Sequence, residues 1–502
     1  MQLDPLSIPY RAVEKSLQFV VGAAFIGFAG FGSNDPGSLG SIVGVLAVVL
    51  LALVAGVGWQ VAYFKRFEYR LTGDTFDIDS GVVSRREREI PYGRIQNVDI
   101  SQNVIQRALG IAEVRLETAG GGETEAKLRF VSYDEAEHLQ EEVAKRKRNE
   151  TGEGETAPVE ERTSALFDIT PRELVVLGIV SMDPRLLSII AVPLSFVGPS
   201  VYVQFIPETG SVWLLVGSSL VGIVVVTALL SGVISMTRYY GFQLRATDDE
   251  YRYERGLLQR FSGSIPKSKV QTLTLTENVI ARRLGYASLT IETAGYAAAS
   301  GSDSNGSQSA IPIADRDHAL SVAQRIEPFE SLEFQRPPKR ARERYAARYL
   351  IVVGVLLAIS YAVVALTSVS YPWFAPAALV VLVPPAAHLK WANRGYRIED
   401  DHVLTRNGFW SRRISVVPSY RIQTVVTSAT VFQRRRSLAT VVVDTAGGQS
   451  LTGDDAKAVD IDADVADRLR EDLAEDLQDA LAAQRARRRR DDGVSDSRTT
   501  AQ

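Results

Sequence analysis

The sequence predicts a multidomain membrane protein. Three transmembrane α-hairpins, six helices in all, alternate with three small antiparallel β-barrel or sandwich domains, each closed by a C-terminal helix. Three observations predict this class. Long apolar segments occur in pairs. A polar region with strand and turn patterns follows each pair. One polar stretch, "IPYGRIQNVDISQNVIQRALGIAEVRLETAG" at residues 90–120, recurs in altered form at 265–295 and at 417–447.

The composition limits the classes of function. The chain has 502 residues, which is too long for a single hydrophobic core, and its net charge of −3 argues against general nucleic-acid binding. It contains no cysteine, which excludes disulfides, thiolate metal sites and thiol nucleophiles. Its four histidines show no metal-ligand spacing, so we expect neither a metal nor a cofactor.

The apolar segments predict the membrane spans. A helix needs about 20 apolar residues to cross a bilayer, and a buried helix of a soluble protein rarely reaches that length without a charge. The first segment is short and follows Arg11 and Lys15, as in a signal peptide. A second segment follows at once, so we expect a retained hairpin. The six predicted spans are residues 17–31, 41–64, 186–206, 212–236, 348–367 and 373–391.

Charge around the spans predicts their orientation. The short loops inside the three hairpins, 33–40, 207–210 and 368–372, contain no lysine or arginine. The opposite ends of the hairpins carry basic residues, and such residues stay on the cytoplasmic side. We therefore expect both termini and all the polar domains in the cytoplasm.

The recurring stretch is an internal triplication. We call the polar regions that contain it the first, second and third copies. Their shared residues keep a constant spacing, and the period is too long for a solenoid built from units of about 20–50 residues. The positions chosen as structural are Gly81, Pro91, Gln96 and Thr118 in the first copy, Gly256, Pro266, Gln271 and Thr293 in the second, and Gly408, Pro418, Gln423 and Thr445 in the third.

Local signals in the first copy predict short strands followed by one helix. Gly81 supplies a turn between strands, and Pro91 places the start of the next strand at an edge or a bulge. The segment "NVIQRALG" predicts one or two helical turns closed by Gly110 in a left-handed conformation. "IAEVRLETAG" alternates as a half-buried strand does. A final helix begins at Ser132, with Glu135 completing a capping box.

These motifs resemble a known family. A glycine ten residues before a proline, then "RIQ", "QRxLG" and "ETAG", is similar to the bacterial-type pleckstrin-homology (PH) domain of the YdbS/YdbT-like membrane proteins. The resemblance implies a PH-like β-barrel with a C-terminal helix, placed after a two-helix hairpin, and a role at the cell envelope. The third copy reads "QRRRSLA", which puts Ser437 where the others have glycine, so its short helix is expected to end differently.

The predicted order of segments follows from these repeats. It is an N-terminal segment and hairpin (1–64), a PH-like domain (65–149), a linker (150–166), a hairpin (167–237), a PH-like domain (238–329), a basic linker and hairpin (330–392), a PH-like domain with a long C-terminal helix (393–490), and a disordered tail (491–502).

Three basic positions recur in every copy and are the candidate binding residues. They could contact anionic lipid head groups or an acidic peptide at the bilayer surface, where each charge contributes about 1 kcal/mol. They could equally form ion pairs inside their own domain, for example with Glu87, Glu113 or Glu117. Gln96 and Thr118 are expected to satisfy buried backbone groups. The candidates are Arg85, Arg94 and Arg107, then Arg260, Lys269 and Arg282, then Arg412, Arg421 and Arg434.

No motif predicts catalysis. The chain has no phosphate-binding loop, no dinucleotide fingerprint and no HExxH motif, so we expect no enzyme and no catalytic residue. The spans carry few ionisable groups, which makes a transporter or channel component the weaker alternative. The basic run at 483–490 fits either anionic lipid or a solvated helix end.

We therefore predict an integral membrane scaffold that presents three cytoplasmic domains for protein assembly at the cell envelope. The alternative is a sensor of anionic lipid. The expected partners are the membrane and an unidentified protein or a second copy of the chain, with no nucleic acid.

Overall fold

A computed structural model describes residues 3–11, 22, 39–118, 126–150, 163–181, 212–294, 307–330, 332–366, 372–399, 401–446 and 456–472. The chain divides into two compact units. Unit 1 consists of Met1–Ala165 and Thr237–Lys267, and unit 2 of Leu166–Met236 and Ser268–Gln502. Unit 1 thus holds the first copy with the first strands of the second, and unit 2 holds the rest of the second copy with the third.

The helices fall before and within the copies. Beyond the helical segments at residues 7–11 and 463–472, they are α1 (Leu39–Lys65), α2 (Val104–Ala108), α3 (Tyr133–Glu150), α4 (Pro171–Val180), α5 (Val212–Tyr239), α6 (Val279–Leu284), α7 (Arg316–Ile326), α8 (Arg340–Leu366), α9 (Val383–Ala392) and α10 (Val431–Arg434).

The strands follow the same six-strand pattern in each copy. They are β1 (Glu68–Leu71), β2 (Thr75–Ser80), β3 (Arg86–Pro91), β4 (Ile95–Asn103), β5 (Ile111–Thr118), β6 (Ala126–Ser132), β7 (Ser164–Asp168), β8 (Gln243–Ala246), β9 (Glu250–Arg255), β10 (Gln259–Pro266), β11 (Val270–Asn278), β12 (Tyr286–Thr293), β13 (Ser307–Asp315), β14 (Gly395–Ile398), β15 (His402–Asn407), β16 (Ser411–Pro418), β17 (Ile422–Ser428), β18 (Leu438–Thr445) and β19 (Ala456–Asp462). Of these, β7 lies between the first and second copies.

In unit 1 the first copy closes a core between two sheets and a helix. Strands β1, β2 and β3 form one antiparallel sheet, and β4, β5 and β6 form part of another. Phe76 from the first sheet, Val114 and Leu128 from the second, and Leu139 from α3 are all buried in one cluster. The alternation of apolar and polar residues along β5 explains why one of its faces enters this core.

The second sheet of unit 1 continues into the second copy. Strand β4 pairs antiparallel with β10, and β10 is followed by β9 and β8, so the order is β6-β5-β4-β10-β9-β8. We call the contact between β4 and β10 the first junction.

Unit 2 repeats this arrangement. Strand β11 of the second copy pairs antiparallel with β16 of the third, in the order β13-β12-β11-β16-β15-β14. We call this contact the second junction. Strands β17, β18 and β19 form a separate sheet, and Val403, Val441 and Leu469 share the core of the third copy.

The two junctions have the same register. Gln259 lies opposite Asn103 in the first, and Ser411 lies opposite Asn278 in the second. These residues occupy equivalent positions of the repeat. A one-residue slip would turn every side chain to the other face of the sheet, so the shared register means that both junctions bring the same positions of the repeat together.

A glycine turn leads into each junction strand. Gly256 has φ of +109° and Gly408 has φ of +92°, and the same turn in the first copy has Gly81 at +111°. A Cβ atom on Gly256 would lie 1.8 Å from the carbonyl oxygen of Gln259. Only glycine fits this conformation and this close approach, which explains why the residue recurs.

Four described helical segments are long and apolar enough to cross a membrane: Val43–Lys65, Gly222–Tyr239, Arg340–Leu366 and Ala375–Ala392. The last is a 3-10 helix over Ala375–Leu382 that continues as α9. Of the six predicted spans, 186–206 and all of 17–31 except residue 22 lie outside the described residues, as do the basic run 483–490 and the tail 491–502.

Candidate functional site

The first basic position of the repeat lies at both junctions. At the second junction, Nε of Arg412 donates a hydrogen bond of 2.8 Å to Oε2 of Glu277. Arg316 donates to the other carboxylate oxygen, also at 2.8 Å. Only 1% of the Glu277 side chain is exposed. This buried ion pair therefore joins the second copy to the third, rather than lying within one domain.

The equivalent residues of the other copies are less buried. Arg260, at the first junction, donates to Glu254 at 2.8 Å, and its guanidinium lies 5.8 Å from the ring centre of Tyr133 in the first copy. Arg85 is exposed on the segment that leads into β3, which no earlier copy covers. One position of the sequence thus has three environments, which follow from its place along the chain.

The second basic position follows the proline of the repeat. Arg94 is exposed, while Lys269 and Arg421 are half-buried. The guanidinium of Arg421 lies 4.9 Å from the ring centre of Tyr420. None of these three residues lies in a junction strand.

The third basic position lies on the short helices α2, α6 and α10. Arg107 and Arg434 are exposed. Arg282 is within 3.5 Å of the carbonyl oxygen of Phe409 through both terminal nitrogens. Burial, together with the nearby charge of Arg412, lowers the pKa of the Arg282 guanidinium. Arg282 and Arg412 therefore both lie at the second junction.

The same short helices expose apolar side chains in all three copies. Val104, Ile105, Ile280, Leu284, Val431 and Phe432 are between 46% and 60% exposed. The residue before α2 and α6 also bonds to the segment that precedes a hairpin. Asn103 donates to the Tyr10 hydroxyl at 2.5 Å, and Asn278 donates to the carbonyl oxygen of Val180 at 3.1 Å.

In the third copy a buried carboxylate connects the domain to the neighbouring hairpin. Asp460 is fully buried and accepts hydrogen bonds from Arg344 at 2.5 Å, Arg394 at 2.9 Å and Gln433 at 2.8 Å. The hydroxyl of Tyr345 also donates to it. Because Arg344 and Tyr345 begin the third hairpin and Arg394 follows it, the cluster fastens the third copy to its own hairpin.

Sequence reasoning missed Asp460. Strand register places it at the position of Phe130 in the first copy, where an aromatic ring contacts Tyr10 with centroids 4.9 Å apart. An argument from repeated residues cannot find a position where one copy has phenylalanine and another aspartate. The strand "AKAVDID" also carries Lys457 and Asp462, so the available signal was only an aspartate placed between the apolar residues Val459 and Ile461.

The first junction contains a second unpredicted carboxylate. Asp99 is 2% exposed and accepts a hydrogen bond of 2.8 Å from Asn97, whose own oxygen accepts one of 3.2 Å from Ser264 in the second copy. Burial and the charge of Glu117 raise the pKa of Asp99 well above its ordinary value, against the opposing effects of Arg115, Asn97 and Arg255.

The acidic residues named as possible ion-pair partners have other contacts. Glu113 is buried and binds Arg115 and Arg129, each at 2.8 Å. Neither is a candidate binding residue. Glu87 is exposed on β3. Ion pairing does engage Arg260 and Arg412, but through Glu254 and Glu277.

The structural positions of the repeat are mostly buried. Thr118, Thr293 and Thr445 are 5% to 7% exposed at the ends of equivalent strands. The prolines occupy the last positions of β3, β10 and β16. The side chain of Gln271 donates to the carbonyl oxygen of Lys269 at 3.3 Å, whereas Gln423 is exposed and the Gln96 side chain lies outside the described part. Within the described residues, no group of three or more histidine and acidic side chains could hold a metal ion.

The copies coincide with a known domain family. The model of the family described as "Bacterial PH domain" matches residues 20–147, 189–329 and 347–477. The chain belongs to the bacterial PH domain family. Each match includes residues before the strands of one copy as well as the strands themselves, so the matched unit is longer than the strand-forming region.

A curated relative is similar to this chain over most of its length. The UPF0699 transmembrane protein YdbT of Bacillus subtilis (strain 168) is 26% identical to this chain over 412 residues. The match covers 77% of this chain and 80% of the relative.

Proposed function

We propose that this bacterial PH protein is a non-enzymatic membrane scaffold, whose PH-like copies use sheet edges as joining surfaces for protein assembly at the cell envelope. One observation carries the proposal. Two neighbouring pairs of copies are joined by strand pairing in the same register, although the residues that fill the two junctions differ.

The residues at the junctions support a joining role. Backbone hydrogen bonds supply affinity when a strand is added to an exposed sheet edge, and the side chains select the partner. In the second junction Glu277 binds Arg412, and in the first Asn97 binds Ser264. Removing one partner of a buried ion pair costs about 3–5 kcal/mol, so the second junction discriminates strongly between partner strands.

The hairpins support the same reading. Spans hold each copy at the membrane, and tethering raises the effective concentration of one copy near the next. A junction between tethered copies therefore needs less binding free energy than a junction between free domains. Because basic residues flank the hairpins, we place the PH-like domains and both termini on the cytoplasmic face.

Cysteine pairs test this proposal, because the natural chain has none. Phe261 lies opposite Ser101, and Arg413 lies opposite Thr276. Phe261→Cys with Ser101→Cys, and Arg413→Cys with Thr276→Cys, should each form a disulfide within the chain in native membranes. The matched controls Ser262→Cys with Ser101→Cys, and Ile414→Cys with Thr276→Cys, place the thiols on opposite faces of the sheet and should not.

The assembly role has its own readout. Cross-linking in native membranes should yield a complex larger than one chain, and Glu254→Gln, which alters a half-exposed pair, should keep it. If cross-linking yields only single chains, the scaffold proposal would fail.

A second candidate function, contact with anionic lipid, is favoured by the exposed apolar residues of α2, α6 and α10. Each helix also carries arginine, and two of the three are preceded by an asparagine bonded to a segment next to a hairpin. Apolar side chains beside basic ones are typical of segments that lie in a membrane interface.

An environment-sensitive fluorophore tests lipid contact in the full chain. Attached at Ile280→Cys, its emission should shift to the blue in nanodiscs that contain anionic lipid. Attached at Asp317→Cys, on exposed α7, it should not shift. Equal emission at the two sites would remove the lipid alternative.

A further inference from the structure

Strand β17 of the third copy is uncovered on a face that the first and second copies bury. Its residues Thr424, Val426 and Ser428 are exposed, Val426 to 47%. The equivalent residues of β4, Asn97, Asp99 and Ser101, are 2% to 5% exposed. Two of the equivalent residues of β11, Thr272 and Thr274, are 4% and 8% exposed.

The cause of this difference is a missing neighbour. In the junctions the next copy lays β10 beside β4, and β16 beside β11. Strand β17 is the outer strand of its sheet, and its neighbour among the described residues is β18. Among the described residues no strand of a following copy lies beside β17, so the joining edge of the third copy is open there.

This edge lacks charge and proline as protection against pairing, and its register irregularity between Ile422 and Thr424 also occurs at the equivalent place in β4, which does pair with a neighbouring copy. Proteins protect an exposed edge strand with charges, proline or bulges along it. From Gln423 to Thr430 the segment reads "QTVVTSAT", without a charge or a proline and rich in β-branched residues. It is therefore suited to accept another strand.

The opposite end of the series is protected. Strand β3 corresponds to β10 and β16 but reads "REREIP", with its four charged residues exposed. In the junction register, Glu89 would take the place of Ser264 and Val416, which are 8% and 0% exposed. Glu87 would take the place of Ile414, which is 2% exposed. Burying these carboxylates without partners is costly, so the β3 strand of another molecule of this chain does not fit β17.

We propose that β17 is a docking edge for one strand of another PH-domain chain. That strand corresponds to β10 and β16 and is uncharged where β3 has Glu87 and Glu89. It adds antiparallel to β17 in the register of the two junctions. This inference rests on the proposed scaffold function and names the chemistry of its partner.

The third copy lacks the carboxylate that binds arginine in the second junction, so we expect a strand added to β17 to bind reversibly. Glu277 corresponds to Ala429 in the third copy, so an incoming arginine at the place of Arg412 finds no carboxylate. The added strand is therefore held by backbone hydrogen bonds and by contacts with Thr424, Val426 and Ser428. Such a contact is weaker than the internal junctions and allows the partner to leave.

Disulfide trapping with peptides from the chain itself tests the proposal. The full chain carries Ser428→Cys and is held in nanodiscs. The probe is a synthetic peptide of residues 408–419 with Arg413→Cys, which the junction register places opposite position 428. We expect a disulfide yield about ten-fold above that of the same peptide with Ile414→Cys, a difference of about 1.4 kcal/mol.

The peptide of residues 81–92 with Arg86→Cys is the matched charged probe. Its yield should be as low as that of the Ile414→Cys peptide. Equal trapping of the β16 and β3 peptides would overturn the proposal, because the charged strand would then fit as well. Equal trapping at both β16 positions would also overturn it, because no register would be selected.

The intrachain pair Thr276→Cys with Arg413→Cys separates the two failures. If this pair forms its disulfide while Ser428→Cys traps no peptide, the docking edge is wrong and the scaffold junctions stand. If the intrachain pair also fails, the shared sheet itself is wrong, and the proposed function fails with it.

Discussion

At the scale of single residues, two buried carboxylates distinguish the junctions from each other. Glu277 is bound directly by Arg412 and Arg316, whereas Asp99 accepts a hydrogen bond from the Asn97 amide, and burial and Glu117 outweigh the nearby charges of Arg115 and Arg255. Glu277 therefore selects the partner strand of the second junction, and Asp99 weakens the first junction.

Replacing Glu277 tests the second junction. Glu277→Gln should destabilise the chain by about 3–5 kcal/mol, because Arg412 is left buried without a countercharge. The matched control is Glu254→Gln. Glu254 binds Arg260 across a half-exposed pair, which contributes about 0–1 kcal/mol. Thermal unfolding in detergent measures both, and equal losses would contradict the buried-pair account.

Replacing Asp99 tests the first junction through pH. Because burial raises its pKa in the folded state, the unfolded chain releases this proton first as pH rises. The junction is thus most stable below the ordinary aspartate pKa of about 4, and it loses stability as pH rises through the raised value. Asp99→Asn should remove this loss and stabilise the chain at neutral pH by at least about 1 kcal/mol.

Thermal unfolding across acidic and neutral pH measures the effect of Asp99→Asn. Asp74→Asn, at an exposed turn, changes the net charge equally and should leave the pH profile unaltered. A profile for Asp99→Asn that follows the natural chain would show that this carboxyl does not weaken the junction.

At the scale of elements, the turns and caps of each copy were predictable and the partners of its strands were not. Gly81 lies in the predicted turn, and Gly110 adopts the predicted left-handed conformation. The Ser132 hydroxyl accepts from the Glu135 amide at 3.3 Å, as predicted for the cap, while the Glu135 carboxylate accepts from the Tyr69 hydroxyl. These are local features. The pairing of β4 with β10 joins residues about 160 positions apart, and no periodicity within either strand encodes its partner.

Copy-specific residues explain the other omissions. The junction pair Glu277 and Arg412 combines a residue found in one copy with one shared by all three. Comparison of the repeats identified the arginine but not its acceptor. Ser437 is a copy-specific residue that the comparison of the repeats did identify. It takes the place of the glycine in the other two copies and adopts φ of +50°. Its helix α10 ends at Arg434.

The glycine turn before β10 gives an element-scale prediction. Gly256→Ala should cost well over 1 kcal/mol and weaken the first junction, because the new Cβ meets the Gln259 carbonyl oxygen. Gly285→Ala is the matched control. Gly285 has φ of +80° with open space around it, so only backbone strain of about 1–2 kcal/mol is added. Hydrogen exchange of β10 should rise in the first variant alone.

At the scale of the whole molecule, each described unit joins a membrane anchor to strands of two neighbouring PH-like copies. The Asp460 cluster shows how firmly the third copy is attached to its hairpin. Its aspartate binds arginines from both sides of the hairpin, Arg344 and Arg394, which are themselves 17% and 16% exposed.

Loss of the Asp460 charge should release the third copy from its hairpin. Asp460→Asn leaves both arginines buried without a countercharge, at a cost of about 3–5 kcal/mol. Limited proteolysis should then cut the chain near residue 394 more quickly. Asp462→Asn, which alters a half-exposed pair with Arg340, should leave the rate unchanged. Equal rates for the natural chain and Asp460→Asn would contradict this attachment.

Hydrogen exchange of the natural chain in nanodiscs tests the central claim, that sheet edges join neighbouring copies, most directly. The amides of β4 and β11 that face β10 and β16 should exchange slowly, while the equivalent outward amides of β17 exchange quickly, because β17 is the outer strand of its sheet among the described residues. Fast exchange at the outer edges of all three strands would mean that the copies are not joined, and the account would be wrong.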